Sequence, residues 1–550
     1  MEYDQAFYAR NLRPEFIETD SGQKILDFVG YVDRMYAAVF AGEQRLARPT
    51  LDPSLVADLA SELAFTASQA EAVLRKVNPR SVEVFDLFDD VLLAASWGQD
   101  LREGGLSQCI WAVGVAGAGS AAPGGYLTRF LRCFAYWRAT HLLTDYVQEV
   151  QPESFLTHMV GSTGPRLIPT AASFWWASRE LATLIARHTP DNILTEADVT
   201  ELADYVDRTT STALWRQGQC DIATLSPAAR RIAGSCSYGY GSQAGKPFQK
   251  MLVQRDIELH PFVDVDGVMI PAALQKIHEG FHVALFHALR KQHKHTVDTA
   301  QLFELVCRDT LARLFSQSTT ILPDRMHIYD SCGVQLGETD FAIAHGSVLI
   351  LGEVKSKAAP GEVLMNGERF TDQITETIKQ LDKAVDNLTN NGATLVANGQ
   401  RVDTEGISTF IGIAVVLHDY GGGIWQGKVL HEVRQGRRGF AILRAVDLML
   451  LAHTLRDMDE LIDYLSFRQE FMDCYGFSVD EVDILAAFLG NARRYRHFFR
   501  QVNLVHKNVI PLPPRDVERE LLISPTPPAR LGPWRATVAN FTKTVANFNT

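Results

Sequence analysis

Residues 338–358 read ETDFAIAHGSVLILGEVKSKA, and the way this stretch folds decides the rest. Small and apolar residues run on both sides of Gly346-Ser347, a pair suited to a two-residue turn with glycine first. With the turn there, His345 faces Val348, Asp340 faces Glu353 and Glu338 faces Lys355. Cross-strand partners project from one face with Cβ atoms about 4.5–5.5 Å apart. Glu353 and Lys355 lie two residues apart and share that face. One surface is therefore predicted to carry Glu338, Asp340, Glu353 and Lys355, and a slip of one residue would scatter them.

Carboxylates this close repel unless a cation lies between them. A hard divalent ion with oxygen ligands fits, since Mg²⁺ binds through one or two carboxylates and keeps several waters. The main-chain carbonyl of Val354 adds a ligand. Lys355 would stand beside the metal-bound water, to orient it, help deprotonate it or stabilise charge building on a phosphate. Upstream, the helix-patterned TAQLFELVCRDTLARLF (299–315) offers Glu304 as a further acidic ligand or base. The plainer reading is a surface ion pair at the open end of a hairpin, and a Glu-x-Lys triplet alone is weak. The wider order strengthens it: helix with Phe303-Glu304, strand, strand with Asp340, apolar strand ending Glu353-Val354-Lys355, helix, apolar strand.

That order, over about 299–446, resembles the PD-(D/E)XK nuclease superfamily. Thr339-Asp340 stands where the family has Pro-Asp, Glu353 and Lys355 match its Glu-x-Lys, and Glu304 matches the acid of its first helix. The next helix of the family often turns a polar residue to the site; Lys379 and Gln380 in TIKQLDKAV are the candidates. The resemblance implies a restriction-endonuclease-like mixed β-sheet core flanked by helices. It also implies Mg²⁺- or Mn²⁺-dependent cleavage of DNA, RNA less often. The helical regions on either side are similar to those of bacterial nucleases of phage defence, which is analogy, since fold does not fix role.

The rest of the chain frames this core. Its 550 residues exceed what one hydrophobic core usually serves. Residues 1–215 read as a mainly helical domain, with apolar residues at three- and four-residue spacing in SLVADLASELAFTASQAEAVLRKV, LTRFLRCFAYWRATHLLTDYVQEV and TAASFWWASRELATLIARH. Thr195 and Asp198 are placed as a capping box. Residues 216–298 form a linking segment with a hairpin turning at Asp266-Gly267 and a helix. After the core at 299–450, residues 451–550 read as a helical region with a Pro-rich tail. There TVANF recurs at 537–541 and 544–548, a short amphipathic helix or a partner-binding arm. The Gly/Ala/Ser-rich 116–126 reads as a loop without the Gly-Lys-Ser/Thr of a phosphate loop.

Net charge is −12, so non-specific coating of nucleic acid is not expected, and contact must be local or metal-assisted. RRYRHFFR (493–500) interleaves cations with rings, as strand-binding surfaces do. Arg493, Arg494, Arg496 and Arg500 are its candidate contacts; a solvated helix face is the plain alternative. No apolar run reaches the roughly 18 residues of a membrane span. The stretch MEYDQAFYAR lacks the basic region and apolar core expected of a signal peptide, and the seven cysteines are dispersed without a CxxC pair. A cytoplasmic protein is expected. A protein partner or a homo-oligomer stays open.

A rival motif lies at 278–282. HEGFH would set His278 and His282 on one helix face to bind zinc with Glu279 as base. Gly280 weakens such a helix, and His260, His287, His293 and His295 make the segment His-rich in general. Three readings follow: a metal-dependent nuclease, a non-catalytic nucleic-acid-binding scaffold on the same fold, and a zinc peptidase.

Overall fold

In a computed structural model of the chain, the described residues are 3–41, 50–74, 111–116, 126–148, 168–209, 221–246 and most of 257–511. The breaks within that last span fall at 272–273, 323–325, 357–366, 419–421, 478–479, 506–509 and isolated single positions. The Gly/Ala-rich loop around 117–125, the Pro-rich tail and the TVANF repeat lie outside them. The architecture is mixed α/β: many helices and several small sheets. No described helix is long and apolar enough to cross a membrane. The chain divides into two compact units. One takes Met1–Trp175 and Asp191–Gln292; the other takes Trp176–Pro190 and the described residues from His293 onward. The linking segment of the sequence reading therefore belongs to the first unit, and helices after 451 belong with the sheet core.

The first unit begins with helices α1 (Tyr3–Asn11), α2 (Pro14–Ile17), α3 (Asp20–Ala41), α4 (Ser54–Leu74) and α5 (Tyr126–Gln148). α4 packs along α5 and α1 against α3, and Arg13 makes a two-pronged bond to Glu62 at 2.9 and 2.8 Å. α6 (Ile168–Arg187) runs across the division between the units. α7 (Glu196–Thr209) starts on the expected reciprocal cap: Asp198 N–H donates to Thr195 Oγ1, and Thr195 N–H to Asp198 Oδ2. After α8 (Pro227–Ser235) come β1 (Ser237–Gly239), β2 (Phe262–Val265) and β3 (Val268–Pro271). β2 and β3 form the expected hairpin, with Gly267 at φ +85°. α9 (Leu274–His293) closes the unit.

The second unit is built on two sheets. After α10 (Thr299–Leu311), the strands are β4 (Thr319–Leu322), β5 (Met326–Tyr329), β6 (Gln335–Thr339), β7 (Phe341–His345) and β8 (Val348–Lys355). Then come α11 (Gly367–Asn390), β9 (Thr394–Ala397), β10 (Gln400–Arg401), β11 (Thr409–Val416), α12 (Gly427–Arg434) and β12 (Ala441–Arg444). The helices α13 (Ala445–Thr454), α14 (Met458–Asp473) and α15 (Glu481–Val505) follow. One sheet has the order β12-β11-β8-β7-β4, the other β10-β9-β5-β6. In the first, β4, β7 and β8 are antiparallel, while β8, β11 and β12 are parallel. The apolar runs LILG of β8, IAVV of β11 and AILR of the edge strand β12 are buried, as expected of parallel strands covered by helices. α11 packs on β8 and β11 of this sheet and on β5 and β6 of the other, while α10 and α13 pack on each other and on the first sheet.

The turn is where the sequence placed it. Gly346 takes φ +56°, and β7 pairs with β8 from His345↔Val348 to Phe341↔Gly352. A side chain at Gly352 has no room, because a Cβ there would lie 2.1 Å from the Phe341 ring. Gly352→Ala should cost about 1–3 kcal/mol, the usual penalty for overpacking a closed core. Urea unfolding reads this directly, and wild-type stability in the variant would refute the packing argument.

A buried polar cluster ties α14 and α15 to β12. Arg468 is 1% exposed; its Nε donates to Glu481 Oε1 at 2.7 Å, and its NH2 group to the carbonyls of Ile424 and Ile442, both at 3.0 Å. Glu481 also accepts from Tyr464 OH at 2.5 Å and Trp425 Nε1 at 3.1 Å.

Candidate active site at the junction of two sheets

The pairing of β7 with β8 stops at Phe341, one residue short of Asp340. There the chain leaves one sheet for the other, and β6 pairs with β5. The expected ladder pairs Asp340–Glu353 and Glu338–Lys355 therefore do not form. Glu338 stands opposite His327 instead. The reason is physical: alternation fixes which face a strand residue takes, but says nothing about where a strand changes neighbours.

The break is stitched by side chains. Asp340 N–H donates to Gly352 O at 2.9 Å, and Asp340 Oδ2 accepts the Val354 N–H at 2.6 Å, replacing a lost ladder bond. Thr339, fully buried, donates its hydroxyl to Gly352 O at 2.9 Å. This tie was missed in the sequence; a threonine next to the acid was its only trace.

Asp340 is nevertheless brought beside Glu353. Burial first, and then the Asp340 charge, push the Glu353 carboxyl up to about 7; Lys355 pulls it back, and Glu338 adds a smaller upward push. Lys355 Nζ donates to Glu353 Oε2 at 2.8 Å and to Gln380 Oε1 at 2.8 Å. Of the two candidates on α11, Gln380 thus joins the site. Lys379 bonds Glu376 on its own helix at 2.7 Å. Leu417 N–H donates to Lys355 O, so the Lys355 peptide faces β11. Alternation then turns the Val354 carbonyl to the side of Asp340.

Glu304 is half-buried on α10, which packs against β8. One turn on, the Cys307 thiol is pushed well up by burial, and then by the charges of Asp340 and Glu304. The two acids therefore act on one neighbourhood. A divalent cation suits this donor set: two carboxylates, one of them raised because it is buried near the other, and a main-chain carbonyl on the same side. Among the described residues, no three His, Cys, Asp or Glu side chains group closely enough to hold a metal by themselves, so such an ion would keep much of its water here.

The HEGFH side chains form no such group either. His278 and His282 are buried on α9 with Glu279, and Trp175 packs on the His278 ring at 5.3 Å. Burial pushes His278 down to about 4, against roughly 6.5 for a free histidine. The unfolded chain takes up the proton first as pH falls. The stability from neutral His278 is thus full above about pH 6.5 and lost on the way down to about 4, a loss of about 3 kcal/mol. His278→Gln should flatten the pH dependence of the unfolding midpoint over that window. A wild-type slope in the variant would show that His278 does not carry it.

On α15, Arg493, Arg494 and Arg500 are exposed, while Arg496 is tied to Asp463 at 2.7 Å and Glu470 at 3.1 Å. Arg434 pairs with Asp473, and Arg438 with Asp382 and Asp386. Against protein-family models, curated proteins and solved structures, the chain finds no match.

Proposed function

We propose that the protein is a metal-dependent nuclease with a restriction-endonuclease-like core that hydrolyses phosphodiester bonds of DNA. The observation that carries this reading is the Lys355 ammonium, held between Glu353 and Gln380 at the end of β8 with Asp340 alongside. A bound Mg²⁺ or Mn²⁺ would neutralise the neighbouring carboxylates and supply Lewis-acid polarisation of a phosphoryl oxygen. Asp340, Glu353 and the Val354 carbonyl would hold it. Lys355 orients the attacking water and meets charge developing on the phosphate, where a fixed cation in a half-buried site acts most strongly. Gln380 positions Lys355, and Glu304 lends a further carboxylate from α10. The helical first unit would recognise substrate or a partner, or restrain cutting. Anti-phage defence is the setting that the resemblance implies.

The test is a panel of plasmid, linear duplex, single-stranded DNA and RNA, with Mg²⁺, Mn²⁺ or EDTA. Metal-dependent cutting of DNA is expected. Binding without cutting across the whole panel would favour the non-catalytic scaffold, and stoichiometric zinc lost in His278→Ala would favour the peptidase.

A further inference from the structure

The end of α15 reads GNARRYRHFFRQVNLV from Gly490 to Val505, sixteen residues with no acid in a chain of net charge −12. Asn491 breaks the helix at φ −163°, ψ 68°, and its Oδ1 caps the new segment by accepting the Arg494 N–H at 3.0 Å. One side of this segment is committed to the fold. Phe499 is buried against Phe467 and Phe471, and Arg496 lies over the Phe467 ring while paired to two acids of α14. The other side is solvent-facing. Arg493, His497 and Arg500 follow at spacings of four and three, and Arg494 and Phe498 form the next row. All five are exposed. Phe498, at 44%, is one of three large apolar side chains exposed among the described residues.

We infer that this face of α15 binds single-stranded DNA, with the arginines on successive phosphates and Phe498 stacked on an unpaired base. The inference deepens the nuclease reading and rests on it for the identity of the strand. The attraction is local: three exposed arginines without an acid in the segment draw in a polyanion that the net charge of the chain repels. The ring sets the class of strand. In a duplex the bases are already stacked, whereas an unpaired base has a free face, and base–ring stacking needs no particular sequence.

The test is fluorescence anisotropy of the full chain in EDTA, with labelled oligo(dT) and a duplex of equal length. Arg493→Ala/Arg494→Ala/Arg500→Ala should weaken oligo(dT) binding at least tenfold and flatten the slope of log K against log salt by about 2, the loss of three contacts to a single strand. Phe498→Ala should weaken oligo(dT) by roughly tenfold and the duplex far less. All four side chains are exposed, and unchanged thermal unfolding checks that the variants fold. Wild-type affinity and salt slope in the triple variant would overturn the inference. So would equal losses for both DNAs in Phe498→Ala, or binding to phosphatidylserine vesicles but not to oligo(dT). Cutting is read separately with Mg²⁺, so a chain that binds oligo(dT) through α15 and cuts nothing would fail the nuclease reading alone.

Discussion

Lys355→Met should lower DNA cleavage by about a hundredfold to ten-thousandfold, the range for removing a group that moves a proton or meets charge in the transition state. Methionine keeps the unbranched stem, and Lys355 is only half-buried, so the fold should survive. The bonds to Glu353 and Gln380, both at 2.8 Å, show why the loss should be local: the ammonium is fixed by those two side chains. Gln380→Ala removes one of them and leaves the cation in place. It should cost much less, visible in kcat with an unchanged unfolding midpoint. Cleavage by Lys355→Met at the wild-type rate would remove Lys355 from the chemistry, and with it the proposed roles of Glu353 and Gln380 as its partners.

The largest stability effect is expected at Arg468. Arg468→Met leaves Glu481 2% exposed with its cation gone; Tyr464 and Trp425 still donate to it, but neither carries charge. Removing one member of a buried ion pair costs about 3–5 kcal/mol, because the other stays behind in a poor solvent for charge. Chemical unfolding followed by tryptophan fluorescence should show an earlier transition of that size. Glu481→Leu in the same chain removes the stranded carboxylate, so the double variant should recover much of the loss. If Arg468→Met is as stable as wild type, or the double variant is worse than both single changes, the cluster is not held together by charge.

Much of the second unit was legible because its signals are local. Gly346-Ser347 fixed the turn, and the hairpin register is right at every pair from His345↔Val348 to Phe341↔Gly352. The helix and the apolar strand expected after Lys355 also stand there, as α11 and β11. What was not legible depends on the partner rather than the period. Glu338 was expected opposite Lys355 and instead faces His327, because the chain changes sheets at Asp340. Lys379 and Gln380 are adjacent on one helix, and only the position of β8 chooses between them. Arg496 looks like its neighbours in RRYRHFFR, yet Asp463 and Glu470, on the helix before, claim it. β4 was missed altogether: four residues, TTIL, are too short to show alternation.

The crossing at Asp340 has a bearing on how the protein comes to be assembled. Its carboxylate has no fixed position until β6 has joined one sheet and β7 the other, and Glu353 is not shielded until β11, over fifty residues later in the chain, has closed beside β8. Pairings of such long sequence separation form late, because loop entropy is lost before contacts repay it. The two carboxylates therefore meet only after both sheets exist. A chain cut short during synthesis, or one that has frayed at this junction, holds the same acids and the same lysine but not the constellation.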